Sequence, residues 1–198
     1  MSDVATSVTD VLSSLDALGI KRQRMTVDSR SVVLGDVFVA IPGTRVDGRD
    51  FVVAAQSRGA AAVMWEPAGG RVADTTLITI PVIVVENLSV LLGQIADAFY
   101  EQPSSRLTVI GITGTNGKTS IANWLAQAYT LLGKNCGAVG TLGVSLGDKS
   151  WPTSNTTPEA ASVHTILRDL HAAGAASVAM EISSHALELG RVSGVRFA

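Results

Sequence analysis

Apolar residues recur along the first half of this chain with two different periods, which predict helices and strands in turn. Helical spacing appears at 8–18, at 50–59 and at 87–100. Gly59 is expected to end the second helix, and Asn87 is the expected cap of the third. Short apolar runs between these segments predict strands at 24–29, 36–41, 60–65 and 81–86. The alternation is typical of a small α/β domain.

The second half repeats the alternation more regularly. Strands are predicted at 107–113, 135–141 and 177–183, with helices at 118–133 and 157–174 and a loop through 147–155. Three strands joined by two helices predict a parallel sheet with right-handed crossovers. In the first of these helices, the residues that recur at helical spacing are Ile121, Trp124, Leu125, Ala128 and Leu132, and we expect them to be buried.

A break in the pattern separates the two halves. Pro103 and two serines follow the helix-like segment that ends near residue 100. We therefore expect an N-terminal domain over residues 1–105 and the first part of a second domain over residues 106–198. Both would be α/β domains.

Composition and charge narrow the functional classes. The 198 residues are 46% hydrophobic with a net charge of −2 and no basic run, which argues against nucleic-acid binding. The single cysteine, Cys136, favours a reducing compartment. The N-terminus lacks a signal-peptide pattern, and the apolar run 78–85 is too short to span a bilayer. We expect a cytoplasmic protein without membrane insertion.

A glycine-rich segment between the first strand and helix of the second half predicts a phosphate-binding loop. Gly114 and Gly117 allow the backbone to approach phosphate oxygens, Lys118 can bridge terminal phosphates, and the Thr119 hydroxyl suits Mg²⁺. The usual pattern, however, has a glycine where this chain has Ile112. The alternative is a glycine-rich turn with an exposed lysine.

Polar residues that follow the later strands are candidates for the same edge of the sheet. Glu181 ends an apolar strand and could bind Mg²⁺, although it could also be an ordinary strand-end glutamate. His185 could be catalytic or could serve in capping or packing. Thr157 and Pro158 fit the N-cap and first position of a helix. The loop that contains them could also bind a polar substrate.

Four separated segments, taken in order, resemble the Mur ligase family. They are TVDSRSVVLGDVFVAIPGTRVDGRDF at 26–51, GTNGKTS at 114–120, NTTP at 155–158, and MEISSHAL with GRVSG at 180–194. The similarity runs through almost the whole chain and is greatest to the members that add the third residue of the peptidoglycan stem peptide. The short loop T-G-T-N-G-K-[TS] of this family accounts for the absent glycine.

The resemblance implies an ATP-dependent amide ligase that requires Mg²⁺. Its implied substrates are UDP-N-acetylmuramoyl-L-alanyl-D-glutamate and a diamino acid, either meso-diaminopimelate or L-lysine. The γ-carboxylate of the D-glutamate would be phosphorylated by ATP, and the amine would then attack the acyl phosphate. Such a ligase is expected to be monomeric.

The family's functional residues can be carried over position by position. ATP would contact the loop residues Gly114, Thr115, Asn116, Gly117, Lys118, Thr119 and Ser120, with Lys118 as the catalytic cation. Thr119 and Glu181 would bind Mg²⁺. The UDP end of the substrate would contact Val27, Ser29, Thr44, Arg45 and Val46. The muramoyl-peptide end would contact Asn155, Thr156, Thr157, Ser183 and Arg191. Judged by its sequence alone, Ser29 could equally be a turn-forming hydroxyl.

The chain departs from the family in two ways. Some relatives have glutamine where this chain has Leu189, and the family continues beyond Ala198 with a carbamylated lysine and an amino-acid-binding domain. The residues that select the diamino acid lie in that further part. Three alternatives are the next ligase of the pathway, a folylpolyglutamate-type ligase and a non-catalytic nucleotide-dependent binding module.

Overall fold

The chain divides into two compact units, Met1–Phe99 and Tyr100–Ala198. The computed structural model describes residues 4–43, 46–74, 76–153 and 155–198. The division falls at the start of the segment 100–105, where the sequence has its break. Within the described ranges, no helix has the length and apolar character needed to cross a membrane.

The described part of the first unit contains a parallel sheet and three α-helices; the sequence predicts an α/β domain here but not that its strands are parallel. Its sheet has the order β1-β2-β3-β4, with every neighbouring pair parallel. The elements in chain order are α1 (Val8–Ala17), β1 (Met25–Thr26), β2 (Val37–Ala40), α2 (Val52–Ser57), β3 (Ala62–Trp65), β4 (Val82–Val84) and α3 (Leu88–Phe99).

Asn87 precedes α3 at the predicted N-cap position, and its carbonyl oxygen accepts from the Val90 and Leu91 amides at 2.9 and 3.0 Å. Asn87 has a φ of +53°, whereas an N-cap residue is normally extended. The side chain that serves this helix end is that of Glu66, whose carboxylate accepts hydrogen bonds from the Ser89 amide at 3.0 Å and the Ser89 hydroxyl at 3.1 Å. The sequence gives no sign of this cap because the carboxylate comes from a residue 23 positions away.

The second unit contains a mixed sheet of five strands in the order β5-β9-β6-β7-β8. Strands β5, β9 and β6 are parallel to one another, as predicted. Strands β7 and β8 extend the sheet beyond β6, and each pairs antiparallel with the strand before it. The elements in chain order are β5 (Thr108–Ile112), α4 (Lys118–Leu131), β6 (Cys136–Gly140), β7 (Gly143–Leu146), β8 (Lys149–Trp151), α5 (Ala160–Ala172), β9 (Ser177–Glu181) and α6 (Ser184–Glu188).

The predicted loop through 147–155 was wrong in its first part, which belongs to a β-hairpin. Strands β7 and β8 pair from Val144 with Trp151 to Leu146 with Lys149. The turn between them contains Gly147 at a φ of +57°, and a Gly-Asp dipeptide is suited to such a tight turn. The hairpin is short, so its alternation of side chains is only a weak sequence signal.

The helix α4 forms where predicted but packs through a different face. Ala122 is buried, and Leu125, Ala126 and Tyr129 pack partly against a cluster that includes Ile112 and Ala179. Trp124 is 67% exposed, and Ile121, Ala128 and Leu132 are exposed as well. The expectation that Ile121, Trp124, Ala128 and Leu132 would be buried was therefore wrong. The strands beneath are rich in glycine and alanine, so the helix approaches them through a small residue.

The helix α5 covers the sheet through a conventional apolar face. Val163, Leu167 and Leu170 are buried against Val178 and Met180 of β9. This packing fixes the position of β9 and therefore of Glu181 at its end. The helix begins at Ala160, with Glu159 rather than Thr157 at the N-cap position, so the predicted capping role of Thr157 was wrong.

Candidate functional site

The glycine-rich loop joins the carboxyl end of β5 to the first turn of α4. Gly114 and Gly117 have φ values of +145° and +81°, which residues with a side chain rarely adopt. Gly117 occupies the N-cap position and has no side chain with which to cap the helix. The loop therefore leads backbone amides and the positive end of a 14-residue helix to an exposed surface, an arrangement suited to phosphate.

The side chains at the start of α4 turn towards the loop and towards the sheet. Lys118 folds over the loop, and its ammonium group donates to the carbonyl oxygen of Gly114 at 2.6 Å. Thr115, Asn116 and Ser120 are exposed around it. Thr119 faces the sheet, and its hydroxyl donates to the Glu181 carboxylate at 2.9 Å. The loop and the end of β9 therefore meet although they are separated by 62 residues in sequence.

Glu181 is the most constrained acidic side chain of this unit, with 1% of its surface exposed. Besides Thr119, it accepts hydrogen bonds from the Thr141 amide at 2.9 Å and the Thr141 hydroxyl at 3.3 Å. Charge-assisted hydrogen bonds of this kind compensate for burial of the carboxylate. The carboxylate can approach this closely because Gly140 lacks a side chain, and a Cβ there would lie 1.9 Å from Oε1.

The segment before α5 is tied to the end of β9 by Thr157. The Thr157 hydroxyl donates to the Glu181 carbonyl oxygen at 3.0 Å and accepts from the Ser183 amide at 3.1 Å. The Thr156 and Thr141 hydroxyl oxygens lie 3.1 Å apart, and Asn155 is exposed nearby in sequence. Thr156, Thr157 and Ser183 thus form one hydrogen-bonded cluster with Thr141 and Glu181 at the carboxyl edge of the sheet.

Arg191 joins the same cluster from the turn after α6. Its Nη1 donates to the Thr157 carbonyl oxygen at 3.1 Å, and its Nη2 lies 3.1 Å from Glu159 Oε1. Ser183 caps α6 by accepting from the Ala186 amide at 3.1 Å. The predicted substrate residues Thr156, Thr157, Ser183 and Arg191 are therefore physically connected.

His185 and Leu189 lie on the exposed side of α6. The His185 side chain is 67% exposed and is 3.8 Å from the Glu188 carboxylate, one helical turn later. Leu189 is 48% exposed at the C-cap of the same helix. The helix therefore positions His185 on the surface, where neither a capping nor a packing role holds it.

A second candidate site lies in the first unit. Val27, Ser29 and Val46, three of the residues predicted to contact the UDP end, line a cavity of about 440 Å³. The other lining residues are Asp28, Arg30, Gly48 and Phe51. Thr44 and Arg45, the remaining predicted contacts, lie outside the described residues. The alternative role for Ser29 was that of a turn-forming hydroxyl. In the structure, the neighbouring Asp28 carboxylate stabilises this turn by accepting from the Arg30 amide at 2.9 Å.

An ion-pair cluster fixes the chain that follows Val46. Arg49 is 9% exposed; it donates to Asp47 and to the carbonyl oxygens of Glu66 and Ala68. Hydrogen bonds from Arg49 lower the pKa of the Asp47 carboxyl to about 2. The Arg49 guanidinium also lies 5.9 Å from the centre of the Trp65 ring. The cluster anchors one end of the cavity wall.

The structure adds three residues that sequence reasoning missed. Gly140 ends β6 and Thr141 follows it; both lie against Glu181, and Glu159 pairs with Arg191. The signal available for Thr141 was its place at the end of a predicted strand, 135–141. Nothing in the sequence pairs Glu159 with Arg191, because the two are brought together only by the turn after α6.

Two family models match this chain, one in each unit. The model described as "Mur ligase family, catalytic domain" matches residues 22–100, and the one described as "Mur ligase middle domain" matches residues 112–198. Together they include the cavity of the first unit and the loop, Glu181 and Arg191 of the second.

Curated relatives that match this chain include proteins named UDP-N-acetylmuramoyl-L-alanyl-D-glutamate–2,6-diaminopimelate ligase. The protein from Pseudomonas putida is 47% identical over 175 residues, which are 88% of this chain and 35% of the relative. That from Chromobacterium violaceum is 46% identical over 184 residues, 93% of this chain and 37% of the relative. The chain thus spans about a third of the length of these relatives.

Solved structures show the same likeness. A structure of a protein with that ligase name has a TM-score of 0.68 and 30% identity, covering 86% of this chain and 34% of the solved one. MurF ligase from Thermotoga maritima in complex with ADP has a TM-score of 0.58 and 25% identity, with coverages of 88% and 35%. Family models and relatives agree in both units, and the chain belongs to the Mur ligase family.

Proposed function

We propose that the protein is a MurE-type ligase, which uses ATP to join a diamino acid to the D-glutamate of UDP-N-acetylmuramoyl-L-alanyl-D-glutamate. The observation that carries the proposal is the 2.9 Å hydrogen bond between Thr119, at the start of α4, and Glu181, at the end of β9. It joins a phosphate-binding loop to a buried carboxylate. The names of the curated relatives support the substrate assignment.

The loop would bind the triphosphate of ATP. Backbone amides at the N-terminus of α4 and the Lys118 ammonium would offset the charge that builds on the transferring phosphoryl group. Lys118 reaches back over its own loop to Gly114, so its cation already lies beside the amides that would share this task. Thr115, Asn116 and Ser120 are exposed and would complete the contacts.

Thr119 and Glu181 are suited to hold Mg²⁺. Their oxygens are of the kind that this cation prefers, they lie 2.9 Å apart, and Glu181 also lines a cavity of about 210 Å³ with Gly140 and Asn123. Among the described residues, no group of three or more His, Cys, Asp or Glu side chains could hold a metal. Phosphate oxygens would thus supply further ligands, as is usual for Mg²⁺. When bound, Mg²⁺ would offset phosphate charge.

The substrate carboxylate would be activated at the same edge of the sheet. A free carboxylate is a poor acyl donor, and phosphorylation gives the attacking amine a leaving group. Asn155, Thr156, Thr157, Ser183 and Arg191 would hold the muramoyl-peptide end next to the loop, since four of these residues already form one hydrogen-bonded cluster. The cavity bordered by Val27, Ser29 and Val46 would receive the UDP end.

The proposal extends to the setting in which the enzyme works. ATP and UDP-linked precursors are metabolites of the cytoplasm, so we place the enzyme there. The phosphate loop, Glu181 and Arg191 come from one chain, which is compatible with a monomer.

The test is phosphate release by the complete protein that contains these 198 residues. We expect release from ATP to require both the UDP-linked dipeptide and a diamino acid, with the tripeptide product detected by mass. Replacing the dipeptide with the UDP-linked tripeptide and D-alanyl-D-alanine, or with a folate and glutamate, tests the two other ligase activities. Tight ATP binding without turnover on any substrate would instead indicate a binding module.

A further inference from the structure

Arg191 is held from two directions by the segment that precedes α5. Its Nη1 donates to the carbonyl oxygen of Thr157, and its Nη2 pairs with the carboxylate of Glu159, both at 3.1 Å. The Arg191 side chain is 16% exposed and that of Glu159 is 43% exposed. Both terminal nitrogens of one guanidinium are therefore fixed, and its plane cannot rotate freely.

Within the part of the chain that the structure describes, Arg191 is the partner shown for the Glu159 side chain. Glu159 occupies the N-cap position of α5, but its side chain makes no capping hydrogen bond to that helix. An ion pair with a half-exposed carboxylate stabilises a fold only weakly. Arg191 Nε, moreover, is buried with no hydrogen-bond partner among the described residues, which opposes stability. Stabilisation of the fold is therefore a poor explanation for the pair.

The fixed guanidinium retains donors for a ligand. Each terminal nitrogen carries two hydrogens; Nη1 donates one to the Thr157 carbonyl oxygen, and Nη2 is held by its ion pair with Glu159. The planar guanidinium therefore keeps donors for an anionic group such as a carboxylate or a phosphate. Thr157, one of the two anchors, also binds the carbonyl oxygen of Glu181. The orientation of Arg191 is thus linked to the backbone of Glu181, the residue whose side chain is proposed to hold the metal.

We propose that Glu159 is a positioning residue, which fixes Arg191 in the orientation that captures an anionic group of the UDP-linked substrate. The inference rests on the proposed function and adds a residue to it. Glu159 itself does not contact the substrate; its effect is to remove, before binding, the rotational freedom that Arg191 would otherwise lose on binding. Immobilising such a side chain accounts for about a 3- to 10-fold difference in affinity.

The test is a double-mutant cycle in the complete protein, read as the KM for the UDP-linked dipeptide. We expect Glu159→Ala to raise this KM about 3- to 10-fold while the KM for ATP stays within about twofold of wild type. Glu159→Gln should give a smaller rise in KM than Glu159→Ala, because its amide oxygen can lie beside Nη2 although the charge of the ion pair is lost. In an Arg191→Ala background, Glu159→Ala should have no further effect.

Two results would overturn the inference. One is an unchanged dipeptide KM in Glu159→Ala; the other is an equal rise in KM with and without Arg191. A matching loss of ATP affinity would point to damage at the start of α5 and would also contradict it. Wild-type protein that does not turn over the dipeptide would refute the proposed function, and this inference with it, whereas normal wild-type turnover with an unaffected Glu159→Ala refutes the inference alone.

Discussion

Replacing Gly140 with alanine should displace the carboxylate of Glu181. A Cβ at this position would lie 1.9 Å from Oε1, 2.4 Å from Cδ and 2.6 Å from Cγ, all well inside contact distance. Glu181 would have to move, although it is 1% exposed and accepts three hydrogen bonds from Thr119 and Thr141. Loss of one or two bonds to a buried charge, together with overpacking, should cost about 2–4 kcal/mol.

The assay is urea unfolding of the complete protein, combined with hydrogen exchange of peptides from β6 and β9 to assign the loss to the second unit. Gly137→Ala in the same strand is the matched control. Its Cβ would meet Leu170 and Ser145 at 3.1–3.3 Å, and flexible Leu170 can yield, so we expect a cost below about 1 kcal/mol.

The reasoning predicts that the cost of Gly140→Ala depends on the side chain of Glu181. In a Glu181→Ala background the three atoms that clash are absent, so adding Gly140→Ala should cost less than about 1 kcal/mol. A cost of Gly140→Ala that is equally large in both backgrounds would refute the account, because the strain would then arise from the backbone of β6.

Three further predictions concern the loop, the cavity and the ion-pair cluster. Lys118→Ala should lower turnover by roughly two to three orders of magnitude with little change in unfolding, and near-normal turnover would contradict the role of the loop. Ser29→Ala should raise the KM for the UDP-linked substrate without changing that for ATP; equal losses would indicate misfolding. The pKa of Asp47 is lowered to about 2, so its ion pair with Arg49 stabilises the fold fully above the unfolded value of 3.8, and this stabilisation is lost as pH falls towards 2. When the free energy of unfolding is measured against pH, Asp47→Asn should reduce its fall over this range by about 1–2 kcal/mol. An unchanged pH profile would contradict the pairing.

The longer helices and strands of both units were predictable because they extend over several repeats of their period, whereas the short strands β7 and β8 and the short helix α6 were not predicted. Strand β5, the glycine loop and α4 follow one another in sequence, and each has its own local signal. The phase of α4 was not predictable. Because alanine and leucine both count as apolar, the helical period predicts an apolar face but not which apolar residues lie at its centre. It does not show that Ala122, rather than Trp124, packs against a sheet of small residues.

The candidate site was predictable where residues end strands. Glu181 and the loop meet because the carboxyl ends of parallel strands share an edge, which strand order alone implies. The partners of these residues were not predictable. Thr141 approaches Glu181 through a neighbouring strand, and Glu159 reaches Arg191 through the turn after α6. Such pairings depend on tertiary packing and leave no local pattern.

The most direct test of the central claim is to follow oxygen from the substrate carboxylate. The complete protein would be given UDP-linked dipeptide with ¹⁸O in the γ-carboxylate of D-glutamate, together with ATP, Mg²⁺ and a diamino acid. The isotopic mass of the released phosphate would then be measured by mass spectrometry. Attack of that carboxylate on ATP transfers one of its oxygens to the phosphate, so we predict one ¹⁸O atom in each phosphate released. Tripeptide formation with unlabelled phosphate would contradict the acyl-phosphate route and the role given to the loop, Thr119 and Glu181.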